Sequence, residues 1–319
     1  MPMKRDNNWL FTSQDEKRGY IQPQLLHELW FHTGTACNLR CPFCLEGSKP
    51  GDDRLQFLTL DDAKTFIDEA VEMGVSKFSF TGGEPFVNPH FIPILDYALN
   101  FRPCLVLTNA TEPLMNQFAK IKPFISKPNA LSFRISLDHP DPQKHDESRG
   151  KGNFKKALDT LGRLYHEGFG VSIARLMLAG EDSSAVDKAY APFFRKAGVP
   201  VDMTIIKFPE FHKPGSMQQV PEITESCMTS YLSVSQRDGF MCNYSKMIVK
   251  QGGECGVYAC TLVDDDSAYN LGRTLQEAMS ERVMLKHHRC YSCFAYGASC
   301  SEESCQSCEE EGQDSARSA

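Results

Sequence analysis

Short apolar runs and helical patterns of apolar residues alternate along positions 27–208. The apolar runs are bounded by polar residues and have the length of buried strands. Six runs of this kind are present, HELWFHT (27–33), SKFSF (76–80), CLVLTNA (104–110), ALSFRISLD (130–138), GVSIARLML (170–178) and VDMTIIKF (201–208). The sequence therefore predicts six strands in this region.

Helical patterns lie between the predicted strands. Thr59 can cap a helix that Gly74 can end, and further helices are predicted near 90–99, 112–121 and 184–197. Two apolar helix faces consist of Ala63, Phe66, Ile67, Ala70 and Val71 and of Phe154, Ala157, Leu158, Leu161 and Leu164. The alternation predicts a parallel sheet with right-handed crossovers. Six units favour an α/β fold, a partial (β/α)6 barrel of the TIM type, with ligands at the C-terminal strand ends.

The pattern changes after the sixth predicted strand. Residues 209–241 include PEFHKPGSMQQVPE, which is typical of a linker because it is rich in proline, glycine and polar residues. Residues 242–308 are predicted to form a small cysteine-rich module, with a β-hairpin from MIVK and GVYA and a helix near 274–285. The remaining segments are an N-terminal extension, 1–26, and an acidic tail, 309–319, which is predicted to be disordered.

Composition argues against several kinds of partner. The chain has 319 residues, a hydrophobic fraction of 41% and a formal net charge of −7. This charge argues against nucleic acid and anionic membranes as partners. The first 20 residues contain no apolar core of signal-peptide length. No run approaches the roughly 18 apolar residues of a transmembrane helix. The sequence therefore predicts a cytoplasmic protein without a membrane partner.

The cysteines of the chain are numerous and clustered. There are 13, of which three lie in 37–44 and eight between 242 and 308, while Cys104 and Cys227 stand alone. The cytosol keeps thiols reduced, so structural disulfides are not expected. Clustered thiols in a reducing compartment indicate metal binding.

The first cysteine group has the spacing C-x3-C-x2-C in HTGTACNLRCPFCLEG, from Cys37 through Cys41 to Cys44. Three thiolates on one loop leave one iron of a [4Fe–4S] cluster without a protein ligand, and an open iron can bind a chelating substrate. A structural zinc loop is the alternative, and it normally has four protein ligands in two pairs.

The second motif is TGGEP, at the end of the second predicted strand. Gly82 and Gly83 permit close backbone approach and Glu84 supplies an acceptor, although such a motif on its own is an ordinary turn. C-x3-C-x2-C followed by TGGEP resembles the radical S-adenosylmethionine (radical SAM) superfamily. The resemblance implies that the three cysteines hold the cluster that binds S-adenosylmethionine. It also implies that the glycine turn binds the methionine amino group.

The same resemblance implies further cofactor contacts at the strand ends. Asn109 ends the third predicted strand and Ser136 the fourth, and Arg149 follows shortly afterwards. In relatives, residues near these points bind the ribose and the carboxylate of the cofactor, and the planar fork of arginine suits a carboxylate. Phe43 is expected beside the adenine. The alternatives are a turn cap or a surface ion pair for the polar residues and loop packing for Phe43.

The C-terminal cysteines resemble the auxiliary-cluster modules of the SPASM and Twitch branches of the superfamily. The minimal assignment implied by this resemblance places one auxiliary [4Fe–4S] cluster on four residues, Cys242, Cys260, Cys290 and Cys293. A fuller assignment has two auxiliary clusters and adds Cys255, Cys300, Cys305 and Cys308. Tandem C-x2-C pairs are also typical of zinc ribbons, which leaves a non-enzymatic zinc protein as the alternative.

The resemblance implies an enzyme in which the reduced cluster cleaves S-adenosylmethionine to a 5′-deoxyadenosyl radical that abstracts hydrogen from a substrate. It also implies an electron donor such as flavodoxin or ferredoxin. The 26 residues before the first strand are too few for a leader-binding domain. This favours a small-molecule substrate over a peptide or protein maturase of the ribosomal-peptide or sulfatase type. Candidate acid/base groups are Asp138, His139, His145 and His212, and no spacing assigns a role to any of them.

Overall fold

A computed structural model describes three stretches of the chain, residues 7–178, 180–209 and 219–297. The described residues divide into two compact units. The sheet unit consists of residues 29–209 and 248–255. The terminal unit consists of residues 7–28, 219–247 and 256–297.

The strands of the described residues include those expected from the apolar runs and several short additions. In chain order they are β1 (Tyr20–Ile21), β2 (Glu28–His32), β3 (Lys77–Thr81), β4 (Cys104–Thr108), β5 (Leu131–Ser136), β6 (Gly170–Met177), β7 (Ile205–Pro209), β8 (Ser245–Gln251), β9 (Glu254–Tyr258), β10 (Asn270–Gly272) and β11 (Val283–Met284).

Helices fill most of the connections between these strands. In chain order they are α1 (Asn7–Leu10), α2 (Leu60–Glu72), α3 (Phe91–Ala98), α4 (Glu112–Asn116), α5 (Phe118–Ile121), α6 (Pro142–Arg149), α7 (Asn153–His166), α8 (Ser183–Lys188), α9 (Ala191–Ala197), α10 (Glu225–Ser230), α11 (Val234–Asp238), α12 (Met241–Tyr244), α13 (Leu275–Ser280) and α14 (His288–Tyr296). Short 3-10 turns cover Pro85–Val87, Lys122–Ser126 and Ser267–Tyr269.

The sheet unit has a mixed α/β fold around a mostly parallel central sheet. Its strands lie in the order β2-β3-β4-β5-β6-β7. The four successive pairs from β3 to β7 are all parallel. Parallel neighbours place their C-terminal ends at one edge of the sheet, so the loops that follow these strands meet there. The predicted α/β class and parallel sheet are confirmed.

Local sequence explains the helices that cover this sheet. Helix α2 begins with a capping box, in which the Thr59 side chain accepts a hydrogen bond from the Asp62 N–H and the Asp62 carboxylate accepts one from the Thr59 N–H. Its predicted apolar face is buried except for Val71, which is half-buried. All five apolar residues predicted on α7 are buried. The apolar periodicity therefore identified the faces that pack on the sheet.

Two predicted helices are interrupted and one predicted strand is shorter. The helix expected over 112–121 breaks at Gln117, whose backbone leaves the helical region and whose amide donates to the Phe86 carbonyl at 2.7 Å. The helix expected over 184–197 breaks before Pro192, because proline supplies no N–H to continue the hydrogen-bond ladder. The last strand of the sheet begins at Ile205, since the residues at 201 and 202 form a turn.

The terminal unit contains both predicted and unpredicted elements. Strands β8 and β9 are the predicted hairpin neighbours and belong to this unit only in part, since residues 248–255 lie in the sheet unit, and β9 pairs antiparallel with β10. The N-terminal extension belongs to this unit: β1 pairs antiparallel with β11, and the Trp9 ring packs edge-on against Tyr269 at 5.0 Å. The described part of the predicted linker contains helices α10 and α11 instead of irregular chain.

The helix expected near 274–285 ends at Ser280 and is followed by β11. Helix α14, which carries Cys290 and Cys293, was not predicted. It begins at an unusual cap, since the His287 side chain accepts from the Arg289 N–H at 3.1 Å. Serine, threonine, aspartate and asparagine are the usual residues at this position. Among the described residues, no helix is long and apolar enough to cross a membrane.

Candidate functional site

The three-cysteine loop follows β2 in the sheet unit. Cys37 is buried, and Cys41 and Cys44 are half-buried. The Cys44 N–H donates to the Cys41 carbonyl at 3.2 Å, which folds the second half of the loop into a turn. The start of the loop is fixed by the Thr35 hydroxyl, which donates to Asp52 at 2.9 Å. These contacts hold the three sulfur atoms on one short loop.

The electrostatics of the loop suit a cationic metal cluster. Burial raises the pKa of Cys37 to about 12, the N–H of Leu39 opposes that rise, and the negative charges of Cys41 and Cys44 add to it. Burial also raises the pKa of Cys41, against the lowering effect of Arg149. Three thiolates that repel each other in a buried loop need a cation between them. The donor set therefore fits an iron–sulfur cluster with three protein ligands.

The glycine turn after β3 packs against the start of the cysteine loop. Gly82 has a φ of +144°, and a Cβ there would lie 2.7 Å from the Gly34 carbonyl oxygen. A Cβ on Gly83 would lie 2.4 Å from the Ala36 oxygen and 2.5 Å from the Thr35 oxygen. All three distances are far below ordinary van der Waals contact. Glycine is therefore required at both positions for the turn to approach the loop.

Glu84 is buried and accepts hydrogen bonds from the next strand end. Its carboxylate accepts from the Asn109 N–H at 2.8 Å, the Thr108 hydroxyl at 2.9 Å and the Phe86 N–H at 3.3 Å. Burial raises the pKa of Glu84 to about 7, although the hydrogen bonds from Asn109 and Thr108 lower it. The carboxylate thus joins the turn after β3 to the end of β4.

Replacing Glu84 with glutamine is expected to destabilise this joint. The amide has one acceptor oxygen, so its NH2 group would face at least one of the three donors that the carboxylate now satisfies. Leaving a buried donor unpaired costs about 1–3 kcal/mol. Urea unfolding of Glu84→Gln beside the wild type would measure the loss. An unchanged midpoint and slope would contradict this role, and the exposed Glu72→Gln on α2 is the matched control.

Asn109 lies over the first cysteine of the loop. Its side-chain amide is 3.9 Å from the Cys37 sulfur and donates to the Asn38 side-chain oxygen at 2.9 Å. Asn38 in turn donates to the Thr111 hydroxyl at 2.9 Å, and Thr111 donates back to Asn109 at 2.6 Å. Sequence analysis singled out Asn109 but missed Asn38 and Thr111. The position of Asn38 directly after Cys37 was the available signal.

Arg149 at the end of α6 is bound to Asp138 rather than to solvent. Both its Nε and its Nη2 donate to the Asp138 carboxylate, the latter at 3.1 Å. Burial would lower the pKa of Arg149, but the charge of Asp138 and its hydrogen bonds raise it, so the guanidinium stays charged. It lies 5.5 Å from the centroid of the Phe43 ring. Arg149, Asp138 and Phe43 thus form one group at the cysteine loop, and the cofactor contacts predicted for Arg149 and Phe43 stay predictions.

The remaining candidates near the strand ends are Ser136, His139 and His145. Ser136 is half-buried at the last position of β5. His145 is buried, its Nδ1 accepts from the Asp138 N–H at 3.3 Å, and burial lowers its pKa to about 4. His139 accepts from the Asp141 N–H at 2.9 Å. His145 is a neutral packing residue in this setting, and His212 lies outside the described residues.

Four cysteines meet in the terminal unit. Cys242, Cys260, Cys290 and Cys293 all line one small cavity. Cys242, Cys260 and Cys290 are buried, and Cys293 is half-buried. Burial raises the pKa of Cys242 to about 12 and that of Cys290 to about 11. The fold therefore brings together four thiols that are up to 51 positions apart along the chain, a donor set that suits a metal centre.

Two polar residues that sequence analysis missed lie against these thiols. The Tyr269 hydroxyl lies 3.7 Å from the Cys290 sulfur and donates to the Met284 carbonyl at 2.8 Å. Lys246 is fully buried, and burial lowers its pKa to about 8, while the negative charges of Cys242 and Cys260 raise it. A lysine within the apolar run of a hairpin strand gives no local sign of such a role.

The other C-terminal cysteines have different settings. Cys255 belongs to the sheet unit, where burial raises the pKa of its thiol to about 11 and Asp62 adds to that rise. Cys300, Cys305 and Cys308 lie outside the described residues. Cys104 is buried in β4. The sulfur of Cys227, a residue of α10, lies 3.1 Å from the Thr224 hydroxyl. Cys104 and Cys227 are not lining residues of the four-cysteine cavity.

The chain has an α/β fold whose candidate site residues lie after parallel strands, at the sheet edge where ligands of such folds bind. Residues 31–191, about half of the chain, match the family described as the radical SAM superfamily. The chain belongs to this superfamily and is an enzyme. Membership implies a [4Fe–4S] cluster and S-adenosylmethionine as cofactors.

Two curated relatives match part of the chain. The chain is 33% identical over 154 residues to the antilisterial bacteriocin subtilosin biosynthesis protein AlbA of Bacillus subtilis, covering 48% of this chain and 33% of AlbA. It is 30% identical over 137 residues to the GTP 3′,8-cyclase of Haemophilus influenzae, covering 42% of this chain and 39% of the cyclase. The matches thus span well under half the length of these relatives.

Among solved structures, the fold is similar to that of SuiB of Streptococcus suis bound to S-adenosylmethionine. The TM-score is 0.61 at 14% sequence identity, and the match covers 81% of this chain and 66% of SuiB. At this identity the likeness concerns the fold alone.

Proposed function

We propose that this chain cleaves S-adenosylmethionine reductively and abstracts hydrogen from a peptide substrate, with redox help from one auxiliary iron–sulfur cluster. The observation that carries the proposal is the packing of the glycine turn against the three-cysteine loop at the C-terminal strand ends. Gly83 leaves no room for a side chain beside the Ala36 carbonyl. This close approach keeps the turn in contact with the loop that would hold a three-cysteine cluster.

Each residue around this loop has a definable task in the proposal. Cys37, Cys41 and Cys44 hold the cluster, which with bound S-adenosylmethionine supplies an electron and a 5′-deoxyadenosyl radical. Glu84 holds the turn in place through its bonds to Asn109 and Thr108. The turn can then offer backbone oxygens to an amino group. Ser136 remains a predicted cofactor contact on the neighbouring strand end.

Arg149 contributes a fixed positive charge to the same site. Its guanidinium is held by Asp138 and faces the Phe43 ring. A charge held in place by a second residue orients an anionic group without losing rotamer freedom at the moment of binding. The carboxylate of the cofactor is the anion that fits this charge. Asp138 is in this view a positioning residue.

We propose that Cys242, Cys260, Cys290 and Cys293 hold the auxiliary cluster of a Twitch-type module. Support comes from the single cavity that all four line and from the superfamily to which the chain belongs. Four thiols also fit a tetrahedral zinc ion. The fuller SPASM-type assignment, with Cys255 and three cysteines beyond the described residues, stays a prediction.

A peptide substrate is favoured over a small molecule by similarity. AlbA is by its name a bacteriocin biosynthesis protein, and SuiB has also been solved bound to the precursor peptide SuiA. The GTP 3′,8-cyclase similarity supports the small molecule expected from sequence, which is the second candidate. An electron donor such as flavodoxin or ferredoxin and a cytoplasmic location remain predictions.

The auxiliary cluster is tested by removing its last two ligands. Cys290→Ala/Cys293→Ala is expected to lower iron from about 8 to about 4 per chain after anaerobic reconstitution, since only the cluster of the sheet unit remains. Reductive cleavage of S-adenosylmethionine to 5′-deoxyadenosine should persist. Iron, acid-labile sulfide and zinc would be measured together.

Cys227→Ala is the matched control, because Cys227 is in the same unit but is not a lining residue of the cavity, and it should keep about 8 irons. Zinc in the wild type that disappears from the double variant would assign a zinc site instead. About 12 irons in the wild type would support two auxiliary clusters.

The substrate class is tested by substrate-dependent cofactor cleavage. Dithionite-reduced enzyme would be incubated with a short peptide encoded beside its own gene, and separately with GTP. The peptide is expected to increase the amount of 5′-deoxyadenosine formed, and the mass of the peptide is expected to fall by the mass of the hydrogen removed. GTP is expected to leave the amount of 5′-deoxyadenosine unchanged. The same peptide with Cys37→Ala/Cys41→Ala/Cys44→Ala is the control. Stimulation by GTP alone would favour the small-molecule candidate.

A further inference from the structure

Lys246 occupies an unusual position beside the four-cysteine cavity. It lies on β8 in the terminal unit and its side chain is fully buried. Its ammonium donates to the Cys242 carbonyl at 2.8 Å and to the Ser245 carbonyl at 2.9 Å. Both acceptors are neutral. Within the described residues no carboxylate pairs with this ammonium.

A buried charge without a counter-ion is expensive, and this one is hydrogen-bonded to the backbone of Cys242, one of the four cavity cysteines. The negative charges of Cys242 and Cys260 are the groups that favour the charged form of Lys246. Burying an isolated ammonium is strongly unfavourable unless an opposite charge compensates it. Metal-bound thiolates at Cys242 and Cys260 would supply that opposite charge. The thiolate form of a cysteine is also the form that binds metal.

Two other buried cations lie near the same thiols, but each is already paired. Arg289 lines the cavity, donates to the Leu262 carbonyl at 2.8 Å and lies 3.4 Å from Asp265. Arg18 acts on Cys290 and is paired with Glu222 at 2.8 Å. Their carboxylate partners offset most of their charge at the cavity. Lys246 differs because its hydrogen bonds go to carbonyl groups.

We infer that Lys246 is a positioning residue whose ammonium offsets the negative charge of the auxiliary cluster and raises the reduction potential of that cluster. The inference rests on the proposed cluster at Cys242, Cys260, Cys290 and Cys293. A [4Fe–4S]2+ cluster with four thiolates carries a net charge of about −2, and one-electron reduction makes it about −3. A fixed cation in a low-dielectric setting stabilises the more negative state and therefore favours reduction. Its two bonds to carbonyls hold the ammonium at the end of α12, next to Cys242.

The test measures a potential rather than turnover. Lys246→Met and Lys246→Arg would be made in full-length Cys37→Ala/Cys41→Ala/Cys44→Ala protein. In this protein the auxiliary cluster is the only expected source of the measured signal. Redox titration followed by electron paramagnetic resonance would give the midpoint potential, and iron content would be measured on each sample. Lys17→Met is the matched control, because it removes the same charge from an exposed position in the same unit.

Lys246→Met is expected to have a more negative midpoint potential than its parent, whereas Lys246→Arg and Lys17→Met stay near the parent value. The inference is also supported if Lys246→Met alone loses iron while Lys246→Arg keeps both its iron and its midpoint potential. An unchanged potential in iron-replete Lys246→Met overturns the inference, and so does loss of iron from both variants. A parent that binds zinc or no metal overturns the auxiliary cluster itself and this inference with it.

Discussion

Replacing Cys37, Cys41 and Cys44 together with alanine is expected to abolish cleavage of S-adenosylmethionine and to remove about 4 irons per chain. The three sulfur atoms share one loop, and negative charge on Cys41 and Cys44 acts on Cys37. No single one of them can hold a cubane cluster, so loss of all three removes the electron source. The remaining iron, about 4 per chain, reports the auxiliary site.

The measurement is 5′-deoxyadenosine formed with dithionite, beside iron and sulfide per chain. Cys104→Ala is the matched control, because Cys104 is buried in β4 of the same unit and is not one of the three loop cysteines. It should keep the iron of the wild type and cleave the cofactor. Cleavage by the triple variant at the wild-type rate would refute the assignment of this loop, whatever its iron content.

The second large effect is expected from one methyl group in the glycine turn. Gly83→Ala places a Cβ 2.4 Å from the Ala36 oxygen and 2.5 Å from the Thr35 oxygen. Both are backbone atoms at the start of the cysteine loop, so relief requires the turn or the loop to move. Overpacking of this kind costs about 1–3 kcal/mol. Displacing the turn by about 1 Å should reduce cofactor cleavage by about 100-fold.

Gly74→Ala separates this effect from the general consequence of adding a methyl group. Gly74 ends α2 with a φ of +83°, and a Cβ there would meet no atom within 4 Å. The alanine should cost about 1 kcal/mol through backbone strain alone and leave cleavage unchanged. Equal losses of cleavage in the two variants would show that the Gly83 contact has no special role. Urea unfolding and 5′-deoxyadenosine formation would be measured for both.

The sheet and the cysteine loop were accessible to sequence analysis because both leave local patterns. Buried strands require apolar runs, and helices on a sheet require apolar faces at helical spacing. The five buried residues of α7, from Phe154 to Leu164, were predicted for this reason. The three cysteines of the first group share one loop, so their spacing is visible in the sequence. Groups of residues that lie close together in the chain and act together can therefore be recognised from the sequence.

Contacts between distant residues were the part that could not be predicted. Glu84 and Asn109 are joined across two strand ends, and neither residue signals the other in the sequence. The sequence around Lys246 gives no local sign that this lysine is buried, yet the folded protein buries it beside cysteines. Helix α14 starts at a histidine cap that propensity does not favour. Such features depend on the tertiary fold, which the local pattern does not contain.

The pairing of β1 with β11 has a consequence for the order in which the protein is made. Met284 is synthesised long after its partner Tyr20. Strand β1 therefore stays without its partner strand during that interval, while strands β3 to β7 can pair as they appear. Cys290 and Cys293 follow Met284 in the chain. The four-cysteine cavity is consequently completed only after the three-cysteine loop has been synthesised.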